Sequence, residues 1–174
     1  MTRLVNIRRV SFLGVLVALA LALHLVEGQV PSPLPWVRPG FANLMTLIAL
    51  LTAGWRAGLL VMLLRVVIGA LLLGGFLSPA FVLSLAGGLA STAVMALMAR
   101  GAWRLWSPLA VSAAGAAAHG GAQVLTLAWL LLRSGDLAWL LPWVLVPSLV
   151  SGIATGLLAN LVLLRWQGYF RAVA

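Results

Sequence analysis

Arg65 lies deep inside an apolar stretch, in the run Val61-Met-Leu-Leu-Arg-Val-Val-Ile-Gly69. An ionised group at that depth is costly and marks a cavity, a partner or a ligand. A guanidinium suits a carboxylate or a phosphate, because its planar fork of donors binds two oxygens at once. Two structural readings stand beside this one. Arg65 can pair with Glu27, the only acid near the apolar stretches, or its long side chain can snorkel to the inner surface.

His119 and Gln123 are four residues apart in Ala118-His-Gly-Gly-Ala-Gln123, so both side chains share one helical face. Gly120 and Gly121 beside them let another helix or a ligand come close. Imidazole and amide at this place can bind a ligand or relay a proton, and an interhelical hydrogen bond is the structural alternative. No second metal-ligating residue accompanies His119 in its motif, and His24 lies on a different stretch, so no metal or other cofactor is expected. Asn43 opens one apolar stretch and Asn160 lies within the last; either amide can line a polar cavity or satisfy backbone freed by a helix break. The expected binding set is therefore Glu27, Asn43, Arg65, His119, Gln123 and Asn160. Thr46, Ser84, Ser91 and Ser112 are too common in such stretches to be singled out.

These residues must be positioned by membrane-spanning helices. The chain of 174 residues is 64% hydrophobic and 7% charged, more apolar than a soluble domain can cover. The expected fold is an all-α integral membrane protein with a single six-helix domain over residues 1–174. The spans are read at 10–26, 41–53, 57–73, 80–99, 108–132 and 137–164, from the need for about 20 apolar residues per crossing. The second is short and is expected to tilt, to begin in the Pro-rich loop or to line a cavity. Pro142 and Pro147 are expected to divide the last into an interfacial lead-in and a helix starting near Ser148.

All eleven basic residues are arginines, and the net charge is +9. They stand singly at span borders, without the clustered basic and aromatic face of a nucleic-acid binder, so no nucleic acid is expected. With the N-terminus inside, Arg3, Arg8, Arg9, Arg56, Arg100, Arg104, Arg165 and Arg171 fall on the cytoplasmic side and Arg38 and Arg133 outside. Both termini are then cytoplasmic, the loop 28–40 is external, and the chain is a multi-pass protein of the inner membrane. Trp36, Trp139 and Trp143 suit the outer interface; Trp55, Trp103, Trp106 and Trp166 suit the inner one. The start of the chain resembles a signal peptide without a convincing cleavage site and reads as a retained first helix. There is no cysteine, which excludes disulfides and thiolate chemistry.

Small residues recur every four positions at Gly14, Ala18 and Ala22, at Gly54 and Gly58, and at Gly152 and Gly156. Such stripes let helices approach closely. They read first as packing within the bundle, and for the first helix also as a docking face for a partner membrane protein.

The ordered set Glu27, Pro39-Gly-Phe-Ala-Asn43, Arg65, Gly69, Gly74-Gly75-Phe, Ser84-Leu-Ala-Gly-Gly88, Ala118-His-Gly-Gly-Ala-Gln123 and Gly152-x3-Gly156-x3-Asn160 resembles the family called heptaprenyl diphosphate synthase component I, also named the Gx transporter family. The resemblance covers nearly the whole chain. It departs where the family usually has asparagine after the fifth-helix histidine and this chain has Gly120. The first name implies partnership with a soluble prenyl synthase, although one aspartate and one glutamate cannot build a multi-carboxylate magnesium site. Catalysis by this chain is not expected. The second name implies likeness to the substrate-binding S components of energy-coupling factor transporters. Such a subunit takes a small ligand and leaves energy supply to a transmembrane coupling protein with ATPases; this chain has no P-loop lysine. By that resemblance Gly14, Ala18 and Ala22 face the coupling protein, and a flavin, vitamin or quinone- or isoprenoid-related precursor is the expected ligand. The competing expectation is a non-catalytic membrane scaffold for a polyprenyl diphosphate synthase or a redox complex, with a tightly filled interior.

Overall fold

The computed structural model describes residues 2–27, 41, 43–102, 106–129, 139–166 and 168. The loop 28–40, the link 133–136, Trp103, Arg104 and Arg171, to which the charge rule assigned sides, lie outside the described residues. Among the described residues, six α-helices make up the bundle: α1 (Thr2–Glu27), α2 (Asn43–Ala53), α3 (Trp55–Leu72), α4 (Pro79–Ala102), α5 (Pro108–Leu127) and α6 (Leu140–Arg165).

Among the described residues, four segments are long and apolar enough to cross a membrane: Ile7–Glu27, Trp55–Leu72, Pro79–Arg100 and Leu140–Arg165. The chain is a membrane protein. The other two helices differ from these in instructive ways. With 11 residues α2 is about 16 Å long, about half the hydrocarbon thickness. It lies in the middle of the core, where Leu47, Ile48, Ala49 and Leu50 are buried against Phe12 and Leu16 of α1, Ala57 and Val61 of α3, and Met95 of α4. A half-length helix is tolerated there because protein, not lipid, surrounds its ends. The 20 residues of α5 are long enough, but serine, histidine, glutamine and glycines dilute their apolarity. Packed chiefly between α4 and α6, α5 exposes only Leu125. Its composition is that of an enclosed helix.

Local sequence explains several boundaries. Gly54, at φ 91°, makes the one-residue break between α2 and α3, a backbone state costly for residues with a Cβ. Ser-Pro opens both α4 and α5: Ser78 Oγ accepts from Phe81 N–H at 3.3 Å and Ser107 Oγ from Ala110 N–H at 3.2 Å. Each serine satisfies an orphan donor while the proline takes the first helical position, where no N–H is needed.

α6 is continuous from Leu140, which corrects the expected division near Ser148. Pro142 falls in the first turn, where its missing N–H breaks no intrahelical bond. Pro147 does remove one bond, yet α5 lies along this part of α6 and Ser148 Oγ donates to Val144 O at 2.7 Å one turn back. Helix–helix contact thus carries the segment through a residue that would end an isolated helix.

One end of the bundle collects arginines. Arg9 Nη2 donates to Ala53 O at 2.9 Å, satisfying a terminal carbonyl of α2 from α1. The Cζ atoms of Arg56 and Arg100 lie 5.5 and 4.7 Å from the Trp55 ring centroid. Three arginines assigned to one side from the sequence therefore share an end, brought from three helices.

Small-residue stripes meet two different fates. A Cβ on Gly152 would lie 2.6 Å from Ala116 Cβ, and one on Gly156 2.6 Å from Leu109 Cα, so this stripe is where α5 and α6 touch backbone to backbone. Gly58 serves α2 and α3 likewise, its Cβ position being 2.8 Å from Leu50 Cβ. On α1 the buried face is Phe12, Leu16, Ala20, His24 and Glu27, while Gly14, Ala18 and Ala22 are exposed. For α1 the expectation of packing within the bundle is thus corrected, because its larger side chains fill the contact with α2 and α3.

Candidate functional site

Arg65 is buried near the middle of α3, 5% exposed, and its Nη2 donates to Asn43 Oδ1 at 3.1 Å. The amide at the first residue of α2 thus holds the guanidinium, and the broken helix pair α2–α3 brings the two together. The positive charge of Arg65 acts on the imidazole of His119, which hydrogen-bonds the Gly87 backbone of α4. Gly87 makes this approach available: a Cβ there would lie 2.9 Å from both Cε1 and Nε2 of His119.

Asn43 and His119 line one small cavity between α2, α4, α5 and α6. The rest of its polar lining is hydroxyl: Ser91 from α4, Ser112 from α5, and Ser148, Ser151 and Thr155 from α6. Thr155 Oγ1 lies within hydrogen-bond distance of the Ser151 and Gly152 carbonyls and of Ser112 Oγ, at 2.9 Å from the last, which ties α5 to α6. Ser91 Oγ and His119 Nδ1 are buried without a hydrogen-bond partner among the described residues. No carboxylate is among the lining residues. Hydroxyl and imidazole groups with a guanidinium alongside suit an anionic oxygen far better than a cation. The cavity volume is about 20 Å³, room for one water.

The six residues expected from the sequence are thus only partly united. Asn43 and His119 line the cavity, and Arg65 reaches it only through its bond to Asn43, being itself outside the lining. Gln123 and Glu27 are buried, and Asn160 half-buried, but none of the three lines this cavity. The hydroxyl residues were passed over because each alone is ordinary. Their spacing was the usable signal: 148, 151 and 155 fall on one face of α6, and 112 and 119 on one face of α5.

Gly120 now has a structural account. A Cβ there would meet Ser148 Oγ at 2.7 Å and Val144 Cγ1 at 3.1 Å, so the departure from asparagine near His119 lies beneath α6.

The family model for heptaprenyl diphosphate synthase component I matches residues 16–162. The chain belongs to that family. No curated protein and no solved structure matches it. The match runs from within α1 to within α6 and includes every residue of the Asn43–Arg65–His119 group and its hydroxyl surround. Component I is by name one part of a synthase, which implies a partner component.

Proposed function

We propose that this component I family member is the substrate-recognising membrane subunit for a small anionic metabolite, similar in role to the S component of an energy-coupling factor transporter. The observation that carries this reading is Arg65, a fixed guanidinium buried in the bundle, oriented by Asn43 and set beside His119 and a hydroxyl-lined recess. Arg65 binds the anionic group, and His119, Ser91 and Asn43 supply hydrogen bonds to its oxygens. Gln123, Glu27 and Asn160 form the outer part of the set. A metabolite larger than one water enters only when α5 and α6 part from α2 and α4, so recognition includes a helix movement. All six helices cross or enter the inner membrane with both termini in the cytoplasm, and the arginine-bearing end faces the cytoplasm. The exposed Gly14, Ala18 and Ala22 face of α1 receives the transmembrane coupling protein that carries the ATPases.

A second reading has its own support. The family name and the water-sized recess favour a non-catalytic membrane partner that anchors a soluble prenyl diphosphate synthase. Thermal melting of purified protein with a panel of carboxylates, phosphates and diphosphates separates the two. Stabilisation by one anion class that disappears in Arg65→Gln and partly returns in Arg65→Lys supports recognition. No response to any anion, together with co-purification of a soluble synthase, supports the anchor.

A further inference from the structure

A second cavity, of about 210 Å³, lies where the end of α1 meets the α3–α4 turn, away from the hydroxyl recess. Its walls are Val66, Ala70 and Leu73 of α3 and Phe81 of α4, with His24 of α1 and Ser84 of α4 as polar groups. His24 is 8% exposed and lies on bare backbone, since a Cβ on Gly69 would be 2.8 Å from its Cδ2. The second hydroxyl, Ser78, is engaged in the turn itself, donating to Gly75 O at 2.6 Å and accepting from Phe81 N–H. Among the described residues, no arginine, aspartate or glutamate lines the space.

The cavity is partly open, and what surrounds its mouth is apolar. Leu71, Leu72, Phe76 and Leu77 are exposed around the turn, with Leu73 exposed at the edge of the cavity itself. Leu77 adopts φ 64°, a left-handed conformation that is costly for a leucine. A strained turn that presents leucines and phenylalanine outward suits an approach from lipid rather than from water.

We propose that this cavity binds a neutral, bilayer-soluble amphiphile, with its hydroxyl or carbonyl group against His24 and Ser84 and its apolar body along Ala70, Leu73 and Phe81. Among the described residues no charged side chain lines the space, so a neutral head suits it better than an anionic one, which would find no counter-ion there. The volume exceeds the 150 Å³ or so that accommodates a benzene ring, so the enclosed part of the ligand is a substituted ring or a branched chain of roughly six to ten carbons. This site is separate from the anion site at Arg65 and does not depend on that assignment.

Photolabelling in lipid nanodiscs with a diazirine-bearing benzyl alcohol tests it, with 4-propylphenol as competitor and peptide mapping as readout. Saturable labelling on residues 73–84, displaced by competitor and lost when Ala70→Phe fills the space, is the expected result. Leu157→Phe, on an exposed face of α6, keeps the labelling. Should Ala70→Phe melt early, Ser84→Leu fills the cavity from the opposite wall and is read in the same way. Labelling that rises linearly with probe, spreads over the exposed faces of α1 and α6 and ignores both filling variants overturns the proposal.

Discussion

The two histidines of this chain rest on their neighbours in the same manner and serve opposite surroundings. His24 of α1 lies on Gly69 of α3, and His119 of α5 lies on Gly87 of α4, each ring against bare helix backbone. Around His119 the lining is hydroxyl, Arg65 stands close, and the space has shrunk to about 20 Å³. Around His24 the lining is apolar and uncharged, and about 210 Å³ remains. The difference follows from what brings the helices together. Glycines at 152 and 156 and the Ser112–Thr155 hydrogen bond draw α5 and α6 into backbone contact, closing the polar recess. The α3–α4 connection reverses direction within a few residues, through left-handed Gly74 and Leu77, at the end of the bundle where the other cavity lies.

If close α5–α6 contact is what closes the recess, the largest effect comes from Gly156→Leu. Its side chain would collide with Leu109 backbone, and a cost of about 3 kcal/mol or more is expected, seen as loss of monodisperse protein or a steep fall in melting temperature. Retained stability would mean that the helices separate easily.

A paired test sharpens the contrast between the sites. Gly87→Ala pushes His119 from its place and weakens anion-induced stabilisation while leaving alkylphenol-sensitive photolabelling intact. Gly69→Ala displaces His24 and does the reverse. Each costs about 1–2 kcal/mol of stability, because a ring must shift by tenths of an ångström. Equal loss of both ligand responses in either variant would merge the two sites into one.

Ser112→Ala removes the side-chain bond between α5 and α6 and is expected to lower stability by about 1 kcal/mol in denaturant titration. The smallest effect belongs to Gly14→Leu. Nothing lies within 4 Å of the added Cβ, so stability should change by less than about 0.5 kcal/mol, while association with a membrane partner should fall. A large loss of stability would place that face inside the fold.

Much of the fold was legible because hydrophobic length and charge placement are one-dimensional signals. The six apolar stretches, the Gly54 break and the common end of Arg9, Arg56 and Arg100 could all be read from the sequence. The continuity of α6 through Pro147 could not, since the compensating contact with α5 is tertiary. Nor could the two fates of the small-residue stripes: Gly14-x3-Ala18 and Gly152-x3-Gly156 look alike, and only the bulk of Phe12 and Leu16 beside the former shows which face turns inward. At the site, Arg65, Asn43 and His119 stood out because polar groups are expensive at that depth. Ser91, Ser148, Ser151 and Thr155 did not, because a hydroxyl can satisfy itself on its own helix. Their common purpose appears only when three helices are superimposed around one recess.

On the proposed reading, Arg65 recognises an anion from within the bundle. Native mass spectrometry of the wild type and of Arg65→Gln, purified in mild detergent from the protein's own host, tests it most directly. The expected result is an anionic metabolite retained by the wild type and absent from a variant with unchanged helicity and melting. A folded variant that keeps the same bound molecule would contradict it, and one that keeps the molecule but melts earlier would assign Arg65 to holding the helices together.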